Sequence, residues 1–190
     1  MKLIRLFLVL ILFFKFLSAN YLNDFYSLLE GSSVVKLKIK YTQNQFENIF
    51  ESVGECYLIG NEEYYYESND IRVYARENQL ITKNYKTNQI IYSEIDRTQL
   101  NILDILSGSK DQIEFLDEDL RSNKYNFVIS ALGFKGYFKF QENTGVLQSI
   151  HLIMDSNQTI SINVASMEVL KGMFNPKMDL ENFEIIDLRD

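Results

Sequence analysis

His151 is the only histidine and Cys56 the only cysteine in a chain of 190 residues. These two side chains bound the nucleophilic and acid–base chemistry available. A histidine-assisted nucleophile needs a serine or cysteine and an orienting acid brought to the imidazole. Near His151 the sequence offers Ser149 and Ile153 along a strand-like stretch and no triad-like spacing. His151 therefore reads as a surface or half-buried strand side chain. A lone cysteine excludes an intramolecular disulfide, and Cys56 reads as a small, half-buried strand residue. Asp111, Glu114, Asp117, Glu118 and Asp119 gather carboxylates but lack the alternating register of a calcium loop. They read as a solvated acidic face. Asn157-Gln158-Thr159 matches a glycosylation sequon, a pattern too short to carry weight. There is no Gly-rich phosphate loop and no C-x-x-C. We assign no catalytic residue, no metal ligand and no cofactor, and expect no enzyme, although carboxylates alone can do acid–base work.

What lacks chemistry must be read from its elements. The chain opens with Lys2 and Arg5, then an unbroken apolar run from Leu6 to Phe14, then Ser18 and Ala19. This is the layout of a secretory signal peptide. The run is shorter than the ~20 residues that span a bilayer. Cleavage after Ala19 is expected, with an uncleaved anchor as the alternative. The next residue is Asn20, not the cysteine of a lipoprotein. Loss of Lys2, Arg5 and Lys15 takes the net charge from −7 to −10, a balance that argues against nucleic acid. The remaining residues, 20–190, suffice for a single domain with one sizeable core.

Residues 21–30 space Leu22, Phe25, Tyr26 and Leu29 as a helix, stopped at Gly31. "VVKLKIKYTQ" (34–43) alternates Val35, Leu37, Ile39 and Tyr41 against Lys36, Lys38 and Lys40, a strand with its lysine side to water. "NQFENIFESVG" reads as a connection to a strand at 55–60. Strands follow at 63–67, 71–77, 79–85 and 89–95, the last two a hairpin about Lys86-Thr87-Asn88. The period turns helical over 97–108, with Leu100, Leu103 and Leu106. Residues 110–122 read as a second helical or irregular stretch. From 124 the two-residue period returns in four strands. Phe134, Phe138 and Phe140 share one face, as do Val146, Ile150, Leu152 and Met154, and Ile160, Ile162 and Val164. A looser stretch, 166–182, precedes a final strand, "FEIIDL". The class is α+β, one long antiparallel sheet with a few short helices. Composition leaves open whether the apolar face meets an ordinary core or a cavity for an apolar ligand.

The order of elements resembles the LolA family of periplasmic outer-membrane lipoprotein carriers. "KIKYTQ" (38–43) is similar to that family's first strand, which ends in Phe-Thr-Gln. "QLITKNYKTNQIIY" (79–92) resembles its hairpin, "LNILDILSG" (100–108) its Leu-rich helix, and "ENTGVLQSIHLIMDSNQTISINV" (142–164) its paired strands. The arginine that helps close the cavity in the family has no counterpart at Arg72 or Arg76. The resemblance implies an unclosed antiparallel β-barrel, a half-barrel whose concave face is covered by helices. It implies a monomeric chaperone in the periplasm that binds acyl chains of lipoproteins in a hydrophobic cavity. Its partners would be acylated lipoproteins, an inner-membrane ABC transporter of the LolCDE type and an outer-membrane acceptor of the LolB type. From facing and resemblance the cavity residues are Leu37, Ile39, Tyr41, Phe138 and Phe140, with Leu103 and Leu106 on a covering helix. Two other readings stay open: a small outer-membrane β-barrel, and a periplasmic lipid-binding or sensor domain of similar fold.

Overall fold

The computed structural model describes residues 20–31, 33–61, 63–95, 102–108, 113–116, 123–172, 174–176, 178–179 and 181–189. The export-type segment 1–19, Leu100 and most of the acidic run lie outside the described residues.

Helix α1 (Tyr21–Glu30) begins at Asn20, whose side chain accepts from the backbone N–H of Asn23 at 3.1 Å. That satisfies one of the free N–H groups of the first turn. Its 3–4 spacing puts Leu22, Phe25, Tyr26 and Leu29 on one buried face, as expected. Helix α2 (Ile102–Ser107) is only six residues long and buries Ile102, Ile105 and Leu106.

Among the described residues twelve strands form one sheet: β1 (Val34–Gln45), β2 (Asn48–Ile59), β3 (Tyr64–Ser68), β4 (Ile71–Arg76), β5 (Gln79–Asn84), β6 (Gln89–Glu94), β7 (Glu114–Leu116), β8 (Lys124–Ile129), β9 (Phe134–Phe140), β10 (Leu147–Ile153), β11 (Gln158–Leu170) and β12 (Glu184–Asp187). Their order is β12-β6-β5-β4-β3-β2-β1-β11-β10-β9-β8-β7. The sheet does not close on itself, since β12 and β7 are its two edges. Among the described residues this is an open sheet, unlike a closed barrel in which every strand edge is paired.

Five expectations are corrected, the first being that the stretch expected to be looser from 166 onward is strand β11 as far as Leu170, paired with β1. The stretch expected as a connection is strand: β2 starts at Asn48, and a two-residue turn, Phe46-Glu47, joins it to β1. Adjacent Ile49 and Phe50 and the side-chain-free Gly54 hide the alternation there. Within 110–122, Glu114–Leu116 is a strand paired with β8. The final strand pairs with β6 in parallel, because the chain crosses from the middle of the sheet to its edge first. Finally, a register irregularity between Leu147 and Ser149 turns Leu147, not Val146, onto the buried face.

The two faces differ sharply. On one, Leu37, Cys56 and Tyr66 are cross-strand neighbours, as are Val35, Leu58 and Tyr64. Phe138, Ile150 and Ile162 form another row. These join the buried side of both helices in one apolar cluster. Each Leu, Ile or Phe so buried contributes roughly 1.5–3 kcal/mol. The opposite face carries the lysines. Lys38 and Lys40 are exposed as expected, but Lys36 is half-buried, 2.9 Å from Glu55 and over the Tyr57 ring. Past β11 the chain runs across this face: Phe174 stacks on Tyr57 at 4.2 Å, and the Lys83 ammonium donates to the Asp179 carbonyl beside Phe183. It then docks β12.

Candidate functional site

The apolar face of the sheet is built by strands whose alternate residues lack charge. Among the seven residues singled out from sequence, Leu37, Leu106, Phe138 and Phe140 are fully buried and Ile39 is 1% exposed. Tyr41 and Leu103 are half-buried and pack against the same cluster. The structure thus brings all seven together, five from strands β1 and β9 and two from α2.

Around them stand residues that the sequence reading did not single out. Phe25 meets Phe140 edge-on at 6.2 Å, and Tyr26 meets Phe138 at 5.9 Å, so α1 lies over β9. Phe115 of β7 adds contacts to Tyr26, Phe127 and Phe138. Tyr125 and Phe127 alternate in "KYNFVI", a signal that could have placed them here. Phe127 owes its seat to Gly136. A Cβ at Gly136 would fall 2.3 Å from the Phe127 ring and 2.4 Å from the His151 carbonyl oxygen, closer than real atoms approach. Gly54 does the same for β3, where a Cβ would lie 2.2 Å from the Glu67 carbonyl oxygen.

The polar side chains in this region are few. The Tyr26 hydroxyl donates to the Ile105 carbonyl of α2 at 3.3 Å, tying one helix to the other. Burial pushes its ionisation well above the usual tyrosine range. Burial, with a smaller contribution from Tyr66, moves Tyr41 up to about 12. Burial alone moves Cys56 to about 12, so its thiol stays protonated and is a poor nucleophile. Cys56 is fully buried rather than half-buried. Asp104, on the short α2, is the one mostly buried carboxylate there. Among the described residues no cluster of three metal-ligating side chains occurs, and no buried side-chain polar atom lacks a partner. Among the described residues the site presents apolar side chains and no converging groups for proton or group transfer.

His151 lies on the opposite face, stacked on Tyr137 at 4.6 Å. Burial first, then Lys124 and Lys139, hold its ionisation below the ordinary histidine value. Arg72 pairs with Glu67 and Arg76 is largely exposed, both away from the apolar cluster. A separate polar hollow of ≈ 430 Å³ is lined by Tyr74, Arg76, Glu77, Gln79 and Ile81. Tyr74 there donates to Glu63 at 2.6 Å.

No protein-family model and no curated protein matches this sequence. Solved structures similar to the chain do exist. An uncharacterized conserved protein from Thermus thermophilus is 10% identical and has a TM-score of 0.51, covering 87% of this chain and 98% of that one. A LolA superfamily protein from Nitrosomonas europaea is 8% identical at TM-score 0.43, covering 80% and 94%. The lipoprotein LppX from Mycobacterium tuberculosis is 8% identical at TM-score 0.40, covering 77% and 92%. At 10% identity the first likeness is one of fold alone, and the other two are looser still.

Proposed function

We propose that the chain is an exported carrier that shelters the acyl chains of lipoproteins on the helix-covered face of its open sheet. The observation that carries this reading is the mismatch between cover and face. An apolar face running from β4 to β8 is capped by helices of ten and six residues rather than by a second sheet. Such a cover is thin and separable. An acyl chain entering beneath it gains ~0.8 kcal/mol per buried CH₂. The face is already filled by Phe25, Tyr26, Leu29, Ile105 and Leu106, so entry requires the helices to swing away. That displacement offsets part of the gain, which is what release demands. With no arginine at the cluster among the described residues, hydrogen bonds hold the cover: Tyr26 ties α1 to the Ile105 carbonyl of α2, and the Tyr21 N–H ties it to the Tyr125 hydroxyl of the sheet.

In this reading residues 1–19 are a cleaved signal peptide and residues 20–190 one domain acting in the periplasm as a monomer. Cargo comes from an ABC transporter of the LolCDE type and passes to a LolB-like acceptor. The seven residues Leu37, Ile39, Tyr41, Leu103, Leu106, Phe138 and Phe140 line the cargo site. The test is release of an acylated lipoprotein from spheroplasts by the purified mature chain. Release as a soluble complex is expected. A folded chain that releases none overturns the assignment and favours a sensor or other binding domain of similar fold.

A further inference from the structure

The hairpin of β1 and β2 outruns its neighbour. β2 is paired with β1 along its whole length, but β3 covers only Gly54–Leu58. Asn48–Val53 is therefore a bare edge of six residues, ~20 Å long at the usual strand rise. A two-residue hairpin closes on a pair that exchanges both hydrogen bonds, here Gln45 and Asn48. From that point, even-numbered residues of β2 bond to β1 and odd-numbered ones turn the other way. The Ile59 N–H, which donates to the Glu63 carbonyl on the β3 side at 2.9 Å, confirms the phase. Ile49, Glu51 and Val53 thus present three N–H and three C=O groups outward, without a backbone partner among the described residues.

Three of the six side chains of this edge are apolar, and all three are uncovered. Ile49 is 70% exposed, Val53 69% and Phe50 54%. Proteins ordinarily blunt such an edge with lysine, proline or a bulge, and Asn48–Val53 has none of these. Its one charge, Glu51, is half-exposed and shared with Lys40 at 2.7 Å. The turn beyond holds Phe46 and Glu47 at φ 45° and 68°, a conformation usually given to Asn-Gly. A phenylalanine kept there at 60% exposure extends the apolar edge to the tip.

We infer that Asn48–Val53 is a strand-addition site for an extended segment of a partner protein. Backbone groups at 49, 51 and 53 supply the affinity, and side-chain alternation supplies the selectivity. The fitting segment runs antiparallel, with a basic residue opposite Glu51, apolar residues opposite Ile49 and Val53, and an apolar residue over Phe50. A second copy fits less well, because the chain's net charge of −7 sets copies against each other.

Replacing an outward N–H by proline leaves the β1 ladder intact, so Glu51→Pro removes the edge and keeps the hairpin. The probe is a fluorescein-labelled peptide Val-Thr-Lys-Val-Ile-Ser, followed by anisotropy and residue-resolved amide exchange. Binding is expected to slow exchange at residues 49, 51 and 53, and not at 50 and 52, which β1 already protects. Glu51→Pro should weaken binding at least about tenfold, the loss of one or two backbone hydrogen bonds. The same peptide N-methylated at alternate residues should not bind. The proposal is overturned by no binding at millimolar peptide, or by binding that Glu51→Pro leaves unchanged. It is equally overturned if sedimentation shows a dimer that Glu51→Pro dissociates. Flotation with phosphatidylglycerol vesicles that is lost in Phe46→Ser but kept in Glu51→Pro would assign the tip to lipid, against the proposal.

Discussion

Cys56 and the tyrosines around it show how single residues set the working range of this fold. In the unfolded chain a cysteine ionises near about 8.5 and a tyrosine near about 10. In the folded chain burial holds Cys56 and Tyr41 near about 12 and Tyr26 higher still. Because the folded values are raised, the stability these groups contribute is whole below the unfolded values and is lost as pH climbs toward the folded ones. The melting temperature should hold to about pH 8.5 and fall steeply between about pH 9 and pH 12. Absorbance near 295 nm should show the buried tyrosines ionising only as the fold is lost. Early, non-cooperative titration of every tyrosine would contradict the burial assigned to them. Gly136 gives a second residue-scale expectation. Gly136→Ala drives a methyl into Phe127 and the His151 carbonyl, and should cost about 1–3 kcal/mol in a urea melt.

At the scale of elements, the decisive pair is α1 and the sheet beneath it. Phe25→Ala empties space between α1 and Phe140, a loss of about 3–5 kcal/mol if the helix melts with everything else. If α1 is a separable cover, the loss stays local. The urea midpoint of the sheet should then shift little, while binding of a hydrophobic dye rises. A large midpoint shift with no added dye binding would make α1 an integral part of the core. β12 carries a different expectation. Deleting residues 183–190 strips the parallel partner from β6 and leaves its apolar edge open, and light scattering should report association. Legibility followed the strength of each element's own pattern. Strong periodicity placed α1 and most strands, because one buried face imposes a period on the residues that make it. β2 was half hidden, since Ile49, Phe50 and Val53 are exposed on both faces of a free edge and no burial enforces alternation. The parallel seating of β12 depends on where the preceding loop crosses, which no local pattern records. Within the candidate site, the residues facing in from β1 and β9 were readable from alternation. Tyr26 against Ile105 was not, because it depends on a partner distant in sequence, and the seating of Phe127 over Gly136 depends on the β8–β9 register, which alternation alone does not fix.

The whole molecule is an open sheet whose two faces are covered in different ways. On one face two short helices pack into the apolar cluster, with Asp104 a mostly buried carboxylate on the second; the other face is crossed by the chain on its way to β12. The proposed carrier needs its apolar face dry when empty and available when loaded, and a short helical cover held by few hydrogen bonds, Tyr26 to Ile105 and Tyr21 to Tyr125 among them, suits both needs. The most direct measurement is native mass spectrometry of the mature chain with a triacylated lipopeptide below its micelle concentration, paired with amide exchange of residues 20–30. The account predicts one lipopeptide per chain and faster exchange along α1 on loading, as the helix leaves Phe138 and Phe140. No bound lipopeptide, or binding that leaves α1 fully protected, would contradict it.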